Sequence, residues 1–120
     1  MPVYKPPFEA ENAAGERDRY PLTLLSPHER WRVHSTYSNQ PWLLEVNGGR
    51  PEVSIHPEDA EPRGISNGDE VKVFNDRGSM RIRCRVTKRI MPGVIAIPQG
   101  AWWNPDEKGV DRRGSVNVLT

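Results

Sequence analysis

At 120 residues the chain is the size of one domain. Its 35% hydrophobic content suffices for one modest core and excludes a second. Lys+Arg 17 against Asp+Glu 16 leaves a net charge of +1, which excludes the strongly basic footprint of a nucleic-acid-binding domain.

Residues 1–19 read as a linker. Pro2, Pro6, Pro7 and Gly15 precede a charged cluster from Glu16 to Arg19, with no apolar period that could face a core. The Pro-rich start, Met1 to Phe8, lacks the apolar segment of a secretory signal. Tyr20-Pro21 closes this segment, and a folded domain is expected over 20–120. Its first strand is Leu22 to Leu25. Trp42 to Val46, preceded by Pro41 and followed by Asn47-Gly48-Gly49, predicts one or two helical turns. Glu52 to Ile55 is β-branched enough for a strand. His56-Pro57-Glu58-Asp59-Ala60 then has proline at the first helical position and acids in the first turn, where the helix dipole favours them. Gly64 is placed to end that helix, and Ser66-Asn67-Gly68-Asp69 signals a turn.

Glu70 to Phe74 predicts a strand, and Asn75-Asp76-Arg77-Gly78 a turn with Gly78 supplying a positive φ. Met80, Ile82, Cys84 and Val86 alternate with Arg81, Arg83, Arg85 and Thr87, the period of a strand with one buried and one wet face. Met91-Pro92-Gly93 turns the chain into an apolar strand, Val94 to Ile97. Gln99 to Arg113 reads as a long irregular stretch, and Ser115 to Leu119 as a last strand. Many short strands, two short helices and frequent Gly/Pro turns predict a mainly β fold, a barrel. No run approaches the roughly 18 apolar residues of a membrane span.

Chemistry concentrates in Ser26-Pro27-His28-Glu29-Arg30-Trp31-Arg32-Val33-His34-Ser35-Thr36, directly after the first strand. Imidazoles, guanidiniums, hydroxyls and an indole in so short a span supply the donors needed to hold a phosphorylated, hydrogen-bond-rich cofactor. The competing reading is a charged surface loop. Elsewhere the bland readings prevail. Arg81, Arg83 and Arg85 form a solvated strand face rather than a nucleic-acid stripe. Cys84, the only cysteine, is a small core hydrophobe; alone it can build neither a disulfide nor a thiolate metal site. His56 caps a helix. His28 and His34 are six residues apart, which matches no common zinc pattern. Trp102-Trp103 fits a core edge or a pocket wall equally well. No Ser-His-Asp or Cys-His arrangement and no glycine-rich phosphate loop of known spacing is present. From the residues alone the chain is a β-barrel binding module with a polar pocket.

Four stretches carry a resemblance: YPLTLLSPHERWRVHSTYSNQPWL, VSIHPEDAEPRGISNGDEVKVFNDRG, PGVIAIPQGAWW and GSVNVLT. In this order they resemble the C-terminal cofactor-binding domain of the dimethyl sulfoxide reductase family, most closely the catalytic subunits of the anaerobic dimethyl sulfoxide reductases. The resemblance spans 20–120 and implies a double-psi β-barrel. It implies bis-molybdopterin guanine dinucleotide with Mo or W as cofactor, with the metal ligand outside this chain, in an enzyme of anaerobic respiration reducing an S-oxide or N-oxide. By position it assigns cofactor contacts to Ser26, His28, Arg32, His34 and Ser35 after the first strand. It further assigns Asn75, Asp76 and Arg77 in the central turn, Gln99, Gly100 and Trp102 after the Val94 strand, and Asn117 near the end. Amides such as Asn117 and Gln99 match the donor–acceptor edge of a pterin. Arg32 and His34 suit a pyrophosphate, and Asp76 suits guanine.

The implied partners are the remaining domains of a longer catalytic subunit, together with an iron–sulfur electron-transfer subunit and a membrane-anchor subunit. Nucleic acid and direct membrane insertion are not expected. In the family the domain continues beyond the stretch that ends here at Thr120, and its metal ligand and cluster cysteines lie in earlier domains. The expectation is therefore of an excised domain without turnover of its own, with 1–19 as a former connector. Two other classes remain open on the residues: a stand-alone barrel binding a protein or peptide, and a small hydrolase or decarboxylase, which lacks a recognisable nucleophile–base pair.

Overall fold

Five strands form one mixed sheet in the order β1-β5-β2-β4-β3, and the sheet curls into a half-barrel. The computed structural model describes residues 1–5, 19–46 and 48–120; most of the expected linker therefore lies outside the described residues. The strands are β1 (Thr23–Leu25), β2 (Glu52–Ile55), β3 (Glu70–Phe74), β4 (Ser79–Val86) and β5 (Val94–Ala96). Among the described residues the named elements also include two short helices, α1 (Pro41–Val46) and α2 (Pro57–Ala60), and 3-10 turns at Glu61–Arg63 and Val116–Leu119. The expectation of a mainly β fold with few short helices holds.

Sequence periodicity sets which face packs. On β4 the apolar alternates Met80, Ile82 and Cys84 are buried, while Arg81, Arg83 and Arg85 face solvent. The adjacent β2 buries Val53 and Ile55, running parallel to β4 with Val53 opposite Cys84. Ile95 follows from β5 and Ile97 from just past its end, and Val116 and Leu119 close the cluster. Outside it, Arg85 Nε pairs with Glu52 Oε2 at 2.9 Å across the wet face.

His56 caps α2 by accepting the Glu58 N–H on Nδ1 at 3.2 Å, with Pro57 opening the helix as expected. Gly64 takes φ +64 and ends the following 3-10 turn. Two expectations are corrected. Ser115 to Leu119 is not a strand: Val116–Leu119 is a 3-10 turn. A rise of three residues per turn puts Val116 and Leu119 on one buried side and turns Asn117 outward. Nor does Gly78 supply a positive φ. It is required because a Cβ there would stand 2.4 Å from the Val118 carbonyl oxygen, so the β3–β4 turn presses on the 3-10 turn through bare backbone.

Cys84 behaves as core. Burial pushes its thiol above the ordinary value, with the charges of Asp69 and Glu52 adding to the rise. A disulfide reagent at pH 8 is expected to modify Cys84 only at the rate the chain unfolds. Folded-state labelling as fast as in urea would contradict this.

Candidate functional site

The polar segment after β1 and the segment after β5 run side by side. Ile97 N–H donates to Leu25 carbonyl at 3.0 Å and Gln99 N–H to Pro27 carbonyl at 3.0 Å, extending the parallel β1·β5 pairing past both strands. That register sets Gln99 against two histidines. Gln99 Nε2 lies 2.7 Å and 3.1 Å from the ring nitrogens of His28 and 3.4 Å from His34 Nδ1. The two imidazoles meet edge-on, with centroids 5.1 Å apart. An amide and two exposed imidazoles offer one cluster of exchangeable donors and acceptors.

Next to this cluster the backbone turns sharply. Thr36 N–H donates to Val33 carbonyl at 2.9 Å, and between them His34 adopts φ +52, rare for a residue with a side chain. Gly100, at φ +97, lies directly against this turn: a Cβ on it would fall 1.9 Å from the His34 carbonyl oxygen. Trp102 Nε1 donates to the Ser35 carbonyl at 2.9 Å, a third restraint on the same turn. Behind it, Arg32 is buried. Arg32 Nε donates to Glu29 Oε2, and its Nη1 to Ser38 Oγ at 3.2 Å; Ser38 Oγ in turn donates to the Gly100 carbonyl at 2.9 Å.

The opposite wall comes from the end of the chain. Asp111 is fully buried, and its carboxylate accepts four backbone N–H groups, from Asn104, Arg113, Gly114 and Ser115, at 2.7–3.1 Å. This fastens the loop carrying Trp102-Trp103 to the segment carrying Asn117. Asn75 Nδ2 donates to the Leu119 carbonyl at 2.6 Å, and Arg77 Nη1 reaches the same oxygen at 3.4 Å, so the β3–β4 turn braces the Asn117 turn from below. Farther along the loop, Asp106 accepts the N–H groups of Val110 and Lys108, and these bonds, Val110's first, hold its carboxyl below the ordinary range.

Between the walls lies a cleft of about 460 Å³, lined by Ser35, Ala101, Trp102, Trp103, Ser115, Asn117 and Val118. Trp102 and Trp103 are both exposed and line this cleft; neither belongs to the buried core. The side chain of Asn117 has no hydrogen-bond partner among the described residues. Of the residues singled out in the sequence, Ser35, Trp102 and Asn117 line this cleft. His34 adjoins it through Ser35, and His28, Gln99 and Gly100 through the contacts above. Ser26 is exposed at the end of β1. Asn75 and Arg77 do not line the cleft; both bond the carbonyl of Leu119, next to its Val118 wall. Two residues stand apart. Arg32 is turned inward, and Asp76 is held outside by Arg19 at 2.9 Å and by the Tyr20 hydroxyl at 2.8 Å.

Sequence reasoning missed Glu29, Ser38 and Asp111. Asp111 had a signal: Asp111-Arg112-Arg113-Gly114 repeats the Asp-x-x-Gly pattern of Asp106-Glu107-Lys108-Gly109, a spacing that lets an aspartate accept the following N–H groups. Ser38 had none.

Residues 22–120 match the family model described as Molydopterin dinucleotide binding domain. The chain is 48% identical over 120 residues to "Dimethyl sulfoxide reductase DmsA" of Escherichia coli (strain K12), covering 100% of the chain and 14% of that protein. It is 38% identical over 117 residues to "Dimethyl sulfoxide/trimethylamine N-oxide reductase" of Cereibacter sphaeroides, covering 92% of the chain and 14% of that protein. Among solved structures, acetylene hydratase from Pelobacter acetylenicus aligns with a TM-score of 0.77 at 20% identity, over 99% of the chain and 17% of that protein, and so shares its fold. The chain thus spans about one seventh of the length of the curated relatives it matches.

Proposed function

We propose, from the fact that this chain belongs to the molydopterin dinucleotide-binding domain family, that it is one wall of a cofactor site in a larger catalytic subunit that reduces an S-oxide or N-oxide. The reading rests on one observation. Three separate segments bring Ser35, Trp102 and Asn117 to a single cleft beside the His28–His34–Gln99 cluster, with the Asn117 amide unengaged by any described residue.

The donor set fits molybdopterin guanine dinucleotide. An amide presents a donor and an acceptor side by side, the pattern of a pterin edge. Hydroxyl and imidazole N–H groups suit phosphate oxygens, and an indole face supplies flat apolar surface. In this reading Asn117 and Ser35 bind the pterin side, and His28, His34 and Gln99 bind the phosphate side. Asn75 and Arg77 act from behind, by holding the turn that presents Asn117. When bound, the cofactor supplies two-electron redox chemistry at its Mo or W centre; this chain orients it and shields it from water. A cleft of about 460 Å³ takes only part of a dinucleotide. The remaining walls belong to other domains of the same subunit, and an electron-transfer subunit and a membrane anchor complete the assembly proposed here. The relatives' reductase names, at up to 48% identity along the whole chain, favour this reading over a stand-alone peptide-binding barrel.

Asn117→Ala tests it. In the full catalytic subunit the variant is expected to retain roughly tenfold less guanine dinucleotide and metal per polypeptide, the worth of a good hydrogen-bonded contact. Its melting temperature without cofactor is expected to be unchanged, because the side chain is exposed. Guanine nucleotide released by acid hydrolysis and metal analysis give the readout. Full occupancy in both Asn117→Ala and His34→Ala would refute the assignment.

A further inference from the structure

Arg32 looks from the sequence like a phosphate ligand, and its surroundings argue otherwise. Its side chain is 4% exposed and that of Glu29 7%. Nη2 is buried and has no hydrogen-bond partner among the described residues, and Arg32 is not among the residues that line the cleft. A guanidinium that met phosphate would need an accessible fork. Here the fork is closed on one side by Glu29 and on the other by Ser38. What the pair does touch is the backbone of the cleft's rim: through Ser38 Oγ it reaches the Gly100 carbonyl, and Gly100 lies against the carbonyl of His34.

We propose that Arg32, with Glu29 and Ser38, is a positioning device that sets the His34–Ser35 turn from behind and never touches the cofactor. The inference rests on the reading that this cleft holds a dinucleotide. The turn needs such a brace because His34 at φ +52 and Tyr37 at φ +67 both sit in the left-handed region, which a free loop would leave. A buried ion pair suits this role better than a source of net stability, since its desolvation offsets much of its attraction. Its value lies in fixing one arrangement, as supporting residues do for binding groups held to a fraction of an ångström.

The experiment uses the full catalytic subunit and follows bound guanine dinucleotide, metal content and the paramagnetic signature of the metal centre. Glu29→Gln leaves Arg32 intact and charged. A ligand role predicts unchanged or tighter cofactor retention; positioning predicts a loss on the order of tenfold. Ser38→Ala cuts only the link from Arg32 to the Gly100 carbonyl, and Ser38→Thr keeps a hydroxyl there. Positioning predicts that Ser38→Ala lowers retention several-fold and alters the spectrum, while Ser38→Thr restores both. It further predicts that Glu29→Gln with Ser38→Ala is no worse than the stronger single variant, the mark of residues acting as one unit. Should Glu29→Gln prove unable to fold, the Ser38 pair decides alone. Full retention with an unaltered spectrum in Ser38→Ala overturns the positioning role while leaving the site reading intact. A wild-type subunit that carries no dinucleotide overturns both.

Discussion

Gly100→Ala is expected to empty the cofactor site while leaving the sheet folded. Two independent costs meet at this residue. The first is conformational: Gly100 sits at φ +97, and a side chain held in such a region costs on the order of 1–3 kcal/mol. The second is steric. The added methyl would stand 1.9 Å from the His34 carbonyl oxygen and 2.5 Å from its carbon, and both are backbone atoms of an already tight turn. Neither can swing aside as a flexible side chain could, so the two segments must part. Parting breaks the contact between Ser38 Oγ and the Gly100 carbonyl and the bond from Trp102 Nε1 to Ser35, and with them the alignment of the cleft. Gly93→Ala separates the two costs. Gly93 has φ +80 but open space where its Cβ would be. It is expected to cost about 1 kcal/mol of stability and to keep its cofactor. The pair is compared by bound guanine dinucleotide in the full subunit and by thermal unfolding. Equal cofactor retention in the two variants would show that the close approach at Gly100 is not what shapes the site.

The contrast between these glycines marks what a sequence discloses and what it conceals. The core was legible because periodicity maps directly onto faces: the alternation from Met80 to Val86 needs only a sheet to lie on, and any partner will bury it. The turns were legible as turns, since Pro and Gly restrict φ locally. Gly78 and Gly100 owe their identity to a carbonyl 40 and 66 residues away along the chain, at Val118 and His34. Nothing local announces such a contact. The same holds for charge. Arg32 and Asp76 have the right chemistry for phosphate and guanine, but Glu29 lies three residues from the one and Tyr20 fifty-six from the other, and those partners engage them within the fold. Side-chain chemistry was readable; whether a group already had a partner within the fold was not. The resemblance named Ser35, Trp102 and Asn117 together, and the fold brings them to one cleft, because a family pattern carries tertiary information that spacing alone does not hold.

The largest stability loss is expected at Asp111, a residue whose sequence neighbourhood reads as irregular loop. Its Oδ2 accepts the N–H groups of Arg113, Gly114 and Ser115, and its Oδ1 that of Asn104; the bonds from Gly114 and Ser115 are buried and the other two part-buried. Asp111→Asn keeps the shape and replaces one acceptor oxygen with an NH₂ group. If that group takes the Oδ2 position, donors face donors at three N–H groups; if it takes Oδ1, one remains unpaired and the charge is lost from the other three. Each buried donor left without a partner costs about 1–3 kcal/mol, so either arrangement removes several kcal/mol from a total of about 5–15. Thermal unfolding of the 120-residue chain is expected to shift down by roughly 15 °C. Asp106→Asn is the control. Asp106 accepts two N–H groups in the same kind of turn, but at the surface, where water replaces them, and a much smaller shift is expected. Because its folded pKa is lowered, Asp106's contribution is present above the carboxyl's unfolded value of about 3.9 and fades as the pH falls through the folded one. The Asp106→Asn shift should therefore shrink in acid. Cofactor retention adds a second readout at Asp111. Asn104 leads back to the tryptophan wall and Ser115 forward to Asn117, so one carboxylate sets the separation of the two sides of the cleft. An Asp111→Asn subunit that still folds at low temperature is expected to bind the dinucleotide weakly even there. If it instead binds as well as wild type while melting early, the carboxylate supports the loop without setting the cleft.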